Sequence, residues 1–309
     1  MKRFLLLTLV FCLPLFLTGV CIELFNRNHN TYKAKADYIK KNKGQIELAI
    51  FGSSQSWHAI NPEYLTVKTA PLAHGGGALN IDYLVYEHFK DQLSNLKVVV
   101  FEVSYQSFER EWGSDWANNH LFWMYYGVNN YQGSVPLSDR LLITANPSAY
   151  AKKFIQWVRH PGMAQYNQFG YMSRTGSLER FHYDTTRMYS TPSLKRRHHE
   201  TNLTAYQTNT ELLDRMIQDC LKRKIKVILL SPPKFYLYNR HMKPEKLKRR
   251  NAILDRYRNT ENVYTMNYER TFEFRSEWFN DPDHLNNEGS KQFSKIFNEQ
   301  VLLLLQVDK

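Results

Sequence analysis

Apolar positions along the chain fall into three patterns. Residues 4–22, FLLLTLVFCLPLFLTGVCI, form one long apolar run broken only by two threonines and a central proline. Short apolar runs follow at 46–51 (IELAIF), 97–103 (KVVVFEV), 226–233 (KVILLSPP) and 262–266 (NVYTM), and each reads as a strand. Between them, apolar residues recur at helical spacing. Ile81, Leu84, Val85, His88, Phe89 and Leu93 do so over 80–95, and Leu212, Leu213, Met216, Ile217, Cys220 and Leu221 over 209–223. Phe293, Ile296, Phe297, Val301 and Leu304 do so over 288–305. Apolar strands alternating with amphipathic helices predict a parallel sheet covered on both faces. Ligands of such sheets bind at the carboxyl ends of the strands, and Gly52 stands at one such end.

The first run is long enough to matter separately. At 1.5 Å per residue it spans roughly 28 Å, about the thickness of a bilayer core. Lys2 and Arg3 precede it and no A-x-A cleavage site follows, so residues 1–25 are expected to be an uncleaved signal anchor. Residues 26–45 are polar and lysine-rich and read as a spacer; the body is 46–309. Arg27, Lys33, Lys35, Lys40, Lys41 and Lys43 would favour a cytoplasmic body by the positive-inside rule. The short N-terminus and the chemistry below argue the other way. The expectation is a single pass through the cytoplasmic membrane, with the body outside it.

Residues 105–205 or so fit no simple strand-helix unit. They hold four of the six tryptophans, as in EWGSDWANNHLFWMYYGVNNY, and read as a partly helical insertion over the carboxyl edge of the sheet. Its aromatic residues form either a secondary core or a lid or sugar-binding wall.

The formal net charge of +12 points to acidic partners such as anionic lipid, an anionic polymer or nucleic acid. The basic runs at 194–199 and 243–258 read as solvated helix faces or contacts with anionic lipid or polymer. No nucleic-acid motif accompanies them, which argues against nucleic acid. Cys12, Cys21 and Cys220 make no disulfide framework, and Cys220 lies on an apolar helix face. Without a CxxC pair or an HExxH motif, no zinc site is expected.

The chemistry-bearing residues lie at the two ends of the body. Gly52-Ser53-Ser54 follows the first strand. Ser54 is either a helix N-cap or a nucleophile, and a nucleophilic serine needs a histidine to take its proton. WFNDPDHLNNEGSKQF, residues 278–293, offers one: Asp281 lies three residues before His284, just ahead of the last helix. There Asp281 can accept a bond from one ring nitrogen, leaving the other free as base. Ser53 and Ser56 are rival nucleophiles. His58 reads as a packing or capping residue, Asp283 as structural or solvent-facing, and Glu102 as a buried carboxylate needing an arginine or backbone N–H partner.

Strand-Gly-x-Ser near the start and Asp-x-x-His before the last helix resemble the SGNH (GDSL) hydrolase family. The likeness covers the two ends of the body and the strands between, not the insertion. It implies a three-layer αβα sandwich with a flavodoxin-like parallel sheet. It also implies a Ser54–His284–Asp281 triad and no metal or organic cofactor. The family's second block supplies an oxyanion N–H, which falls within Gly75–Gly77, with Gly76 or Gly77 favoured. Its third block, normally Gly-x-Asn-Asp, is replaced here by EVSYQSF (102–108), so Ser104 or Gln106 stands in for the asparagine. SYQSF is similar to a turn in the membrane-anchored SGNH-like proteins of teichoic acid D-alanylation. The resemblance thus implies an esterase or O-acyltransferase acting on acyl esters of a cell-envelope polysaccharide, with an acylated glycan or anionic polymer as partner. A multi-pass membrane acyltransferase is the expected protein partner. The alternative is a catalytically degenerate binding or assembly subunit of an envelope acylation complex.

Overall fold

The computed structural model describes residues 1–161, 166–190 and 192–306. Five parallel strands form the centre: β1 (Leu48–Ile50), β2 (Thr69–Pro71), β3 (Val98–Glu102), β4 (Lys226–Ser231) and β5 (Val263–Asn267). Their order is β2-β1-β3-β4-β5, so the chain runs outward from β1 in one direction and then turns back past it. A small antiparallel pair, β6 (Phe279–Asp281) and β7 (His284–Leu285), stands apart. Every residue of β1, β3 and β4 is buried, which explains why these strands read as continuous apolar runs rather than alternating ones.

Before the insertion lie α1 (Lys2–Asn28), α2 (Thr31–Asn42), α3 (Ser54–Ala59) and α4 (Leu79–Phe89). The insertion carries α5 (Asn119–Tyr126), α6 (Leu142–Ala145), α7 (Pro147–Arg159), α8 (Thr185–Met188) and α9 (Pro192–His199). After it come α10 (Leu203–Lys222), α11 (Tyr236–Arg240), α12 (Pro244–Arg256) and α13 (Asn287–Gln306). Alternate strand residues feed two cores. Ala49, Val99, Phe101, Val227 and Leu229 pack with α4, α10 and α12, whereas Leu48, Ile50, Val100, Ile228 and Leu230 pack with α13 on the other face. Cys220 is fully buried on α10.

Three features differ from the expectation. β2 carries no signal in the sequence, because it is three residues long and ends in Pro71. A proline is tolerated there because β2 is an edge strand. Residues 26–45 are not a spacer: α1 runs on to Asn28, and α2 buries Tyr32, Lys35 and Ile39 against the body. The basic runs are only partly solvated. Arg197 and His198 of α9 turn inward, while on α12 Lys246 and Arg250 are buried, with Arg249 and Arg250 paired to Glu109 and Glu269. The aromatic residues of the insertion split likewise. Phe108, Trp116, Phe122 and Tyr126 join the main core.

Candidate active site

The reversal in strand order falls between β1 and β3, the position at which open α/β sheets bind ligands. β1 ends at Ile50, and Gly52 turns the chain with a φ of 140°. A Cβ at Gly52 would stand 2.5 Å from the Cβ of Glu102, so this turn needs glycine twice over, for backbone angle and for space. Ser53 then caps α3, accepting from the N–H of Gln55 at 3.2 Å. Ser54 is the first residue of that helix, where a backbone N–H has no intrahelical acceptor.

Glu102, at the end of β3, fixes the turn. Its carboxylate accepts from the Ser53 N–H at 2.8 Å, the Ser53 hydroxyl at 2.7 Å and the Ser56 N–H at 3.1 Å. This is the backbone partnership expected for a buried carboxylate, with no arginine beside it among the described residues. It also occupies the Ser53 hydroxyl, while Ser56 is buried with its hydroxyl unpartnered among the described residues. Of the three serines, Ser54 alone bonds a histidine.

Ser54 Oγ and His284 Nε2 are 2.8 Å apart. On the other side of the ring, Nδ1 meets Asp281 Oδ1 at 2.8 Å. The β6-β7 pair brings these together, for Asp281 and His284 are register partners across its tight turn. Asp281 also accepts from Asn280 at 3.1 Å and from Arg174 at 3.3 Å. Asp283 is neither solvent-facing nor turned away from the ring. It is buried, lies 3.3 Å from His284 Nδ1, accepts from Gln55 at 3.0 Å and contacts Arg197.

Burial holds the His284 imidazole below its ordinary range, and the ionised Asp281 only partly offsets this. Burial alone would raise the Asp281 carboxyl. The His284 ring, Arg174 and Asn280 outweigh it and hold the group well below the usual carboxylate range. The pair therefore rests as neutral imidazole and carboxylate, with Nε2 facing the hydroxyl as acceptor. His58 is fully buried and lies edge-on to His284 at 5.5 Å between centroids; burial drives its pKa far down, so it is a neutral packing residue.

The Gly75–Gly77 turn lies against the Ser54 turn. His74 N–H donates to Gly52 O at 2.9 Å, and a Cβ on Gly77 would stand 2.4 Å from Gly52 O. The Gly77 N–H is already engaged with His74 O at 3.2 Å. The N–H groups of Gly75 and Gly76 have no acceptor among the described residues, which leaves Gly76 as the better donor of the two favoured glycines. Ser104 is wholly buried and its hydroxyl has no partner among the described residues; Gln106 is buried, and its side-chain carbonyl likewise has none among them. Among the described residues no hydrogen bond joins either of them to Ser54.

Asp281, Asp283 and His284 are the one group among the described residues whose spacing could hold a metal ion. Two guanidinium groups, Arg174 and Arg197, already neutralise these carboxylates, so a cation would have to displace them. Both arginines come from the insertion: Arg174 stands in no motif, and Arg197 belongs to the basic run 194–199, which read as a solvated face or a contact with anionic lipid or polymer and not as part of a site.

No family model matches this chain, and no curated protein matches it.

Proposed function

We propose that this chain is a membrane-anchored serine esterase or O-acyltransferase of the SGNH type, acting outside the cytoplasm on acyl esters of a cell-envelope polysaccharide. The observation that carries the reading is the continuous contact from Ser54 Oγ through His284 to Asp281, joining residues 230 positions apart. The sheet order and the apolar α1 are what such a protein requires.

In this mechanism His284 Nε2 takes the Ser54 proton as Oγ attacks the ester carbonyl carbon. The negative charge develops on the carbonyl oxygen, for which the Ser54 N–H and the Gly76 N–H are the donors this reading assigns. His284 returns the proton to the departing alcohol, leaving an acyl-serine. Water or a sugar hydroxyl then gives its proton to His284 as its oxygen attacks the acyl carbon; the acyl–Oγ bond breaks, and His284 passes the proton to Ser54 Oγ, which regenerates Ser54 and completes hydrolysis or transfer. Asp281 orients the ring and stabilises its charged form. A multi-pass acyltransferase that delivers acyl groups to the outer face of the membrane is the protein partner this reading calls for.

The second reading, a binding or assembly subunit, is favoured by one observation: Ser104, the stand-in for the third oxyanion donor, is fully enclosed. Hydrolysis of a chromogenic acetate ester by the full chain in detergent separates the two. Ser54→Ala is expected to lower kcat by about 10⁴-fold or more. Equal rates for the parent and Ser54→Ala overturn the enzyme and leave the binding subunit.

A further inference from the structure

The insertion helix α7 is the most amphipathic element outside the core, yet none of its residues is buried. Its apolar side chains form two adjacent stripes. Tyr150, Phe154 and Trp157 make one, spaced four and three residues apart, and Ala151, Ile155 and Val158 make the other. The first stripe seats on the last turns of α1. Phe25 packs on Phe154 and Trp157 with centroids at 5.4 and 4.7 Å, and Asn26 donates to Tyr150 O at 3.1 Å. The second stripe is largely open: Ala151 is half-buried, and the other two are exposed. Ile155 is 48% exposed and Val158 55%, with Leu141 and Leu137 exposed on the segment leading into α6.

The position of this face says what covers it. α1 is exposed from its start through Thr18 and enters the body only at its last turns, where Glu23 and Asn26 are buried. α6 meets α1 at the same level, through two backbone N–H groups on the Glu23 carboxylate at 3.1 and 2.9 Å. The apolar face thus lies beside the point where α1 leaves its apolar run. Exposed Arg140, Lys152 and Arg159 flank it. A groove of about 600 Å³ beside the end of α1 adds Lys40 and Lys43, together with Lys33 paired to Asp37 and Arg27 paired to Glu23. An apolar stripe with a tryptophan at its margin and a cationic border is the composition of an interfacial helix.

We propose that Leu137, Leu141, Ile155, Trp157 and Val158 insert into the interfacial layer of the bilayer around α1, so the domain docks on anionic lipid instead of swinging on a tether. The proposal rests on α1 spanning the membrane. It also orients the site. The first turns of α2 touch the neighbourhood of Ser54: Lys35 donates to Ala73 O, and the Thr31 carbonyl packs on Gly170, whose own carbonyl accepts from Trp57. The edge of the sheet that carries Ser54 therefore faces the anchored end, and docking holds it at a set height over the lipid.

α1 contains no tryptophan, so tryptophan emission reports on the body alone. The full chain is reconstituted in phosphatidylcholine–phosphatidylglycerol vesicles whose acyl chains carry bromine near the headgroup. The expected result is quenching relative to unbrominated vesicles, loss of most of that quenching in Trp157→Phe, and its return in Trp157→Phe/Ile155→Trp. Quenching unchanged by Trp157→Phe overturns the proposal. So does absence of quenching in vesicles that carry the protein through a flotation gradient, which leaves the face to a protein partner. Failure to float overturns the membrane span, and the docking with it.

Discussion

His284 Nδ1 is approached by two carboxylates, Asp281 at 2.8 Å and Asp283 at 3.3 Å, and their surroundings separate their roles. Asp283 is bound to Gln55 and Arg197 in a buried cluster, whereas Asp281 makes the shorter bond to the ring. Asp281→Asn is expected to lower kcat by about 10⁴-fold, because the amide favours the wrong tautomer. Asp283→Asn strands the mostly buried Arg197 and should cost about 3–5 kcal/mol of stability, with a much smaller effect on kcat. Ester hydrolysis and thermal unfolding of both variants check this; the reverse ranking would make Asp283 the orienting group.

The same residues set the pH dependence. Burial puts the His284 pKa below its ordinary 6.5, so the base form persists to lower pH than in a free histidine. kcat/KM should stay level as pH falls from neutrality and bend only below about 6.5, as His284 takes a proton. Stability follows the same sign. Both His284 and Asp281 have lowered pKa values, so the unfolded chain binds protons first and the stabilisation present near neutrality is lost on acidification. A limb lying above pH 7 in the kcat/KM profile would contradict this placement. The meeting of Ser54, His284 and Asp281 was legible because each lies in a short stretch with its own spacing signal. The roles of Arg174 and of Arg197, the latter visible only as part of a basic run, were not, since their placement depends on how an aperiodic insertion folds.

At the scale of elements, the site depends on how α3 is started. β1 and β3 end side by side, and Glu102 bridges them by accepting from Ser53 and Ser56 while Gly77 packs on the backbone of Gly52 and Ser53. Glu102→Gln keeps the volume but loses the charged acceptor. It is expected to cost about 1.5–3 kcal/mol and to lower kcat by letting the Ser54 turn loosen. Chemical denaturation and ester hydrolysis measured together test this; an unchanged kcat in a destabilised variant would confine Glu102 to the fold. β1, β3, β4 and the long helices were legible because burial on both faces and helical periodicity write themselves into composition. β2 and α2 were not. Three residues carry no period, and a lysine-rich helix hides its packing in Tyr32, Lys35 and Ile39, with the Lys35 ammonium buried and its pKa lowered to about 7 by that burial.

At the scale of the molecule, the question is whether the apolar helix α1 and the domain form one unit. Glu23 is the joint. It belongs to α1, is 8% exposed, pairs with Arg27 at 2.5 Å and accepts the N–H groups of Leu142 and Ile143 from the insertion. A carboxylate so placed is stabilised by the donors around it, and its removal leaves those donors in a dry contact. Glu23→Gln is expected to weaken the seat of α6 and α7 by about 1–3 kcal/mol, which opens that segment roughly 5- to 150-fold more often. Hydrogen exchange on the full chain reads this out directly. Amides of residues 142–159 should exchange faster in the variant, while those of β3 and β4, buried in the central sheet, should not change. Equal exchange in α6 and α7 would mean that the insertion is held by the body alone and that α1 is a simple tether.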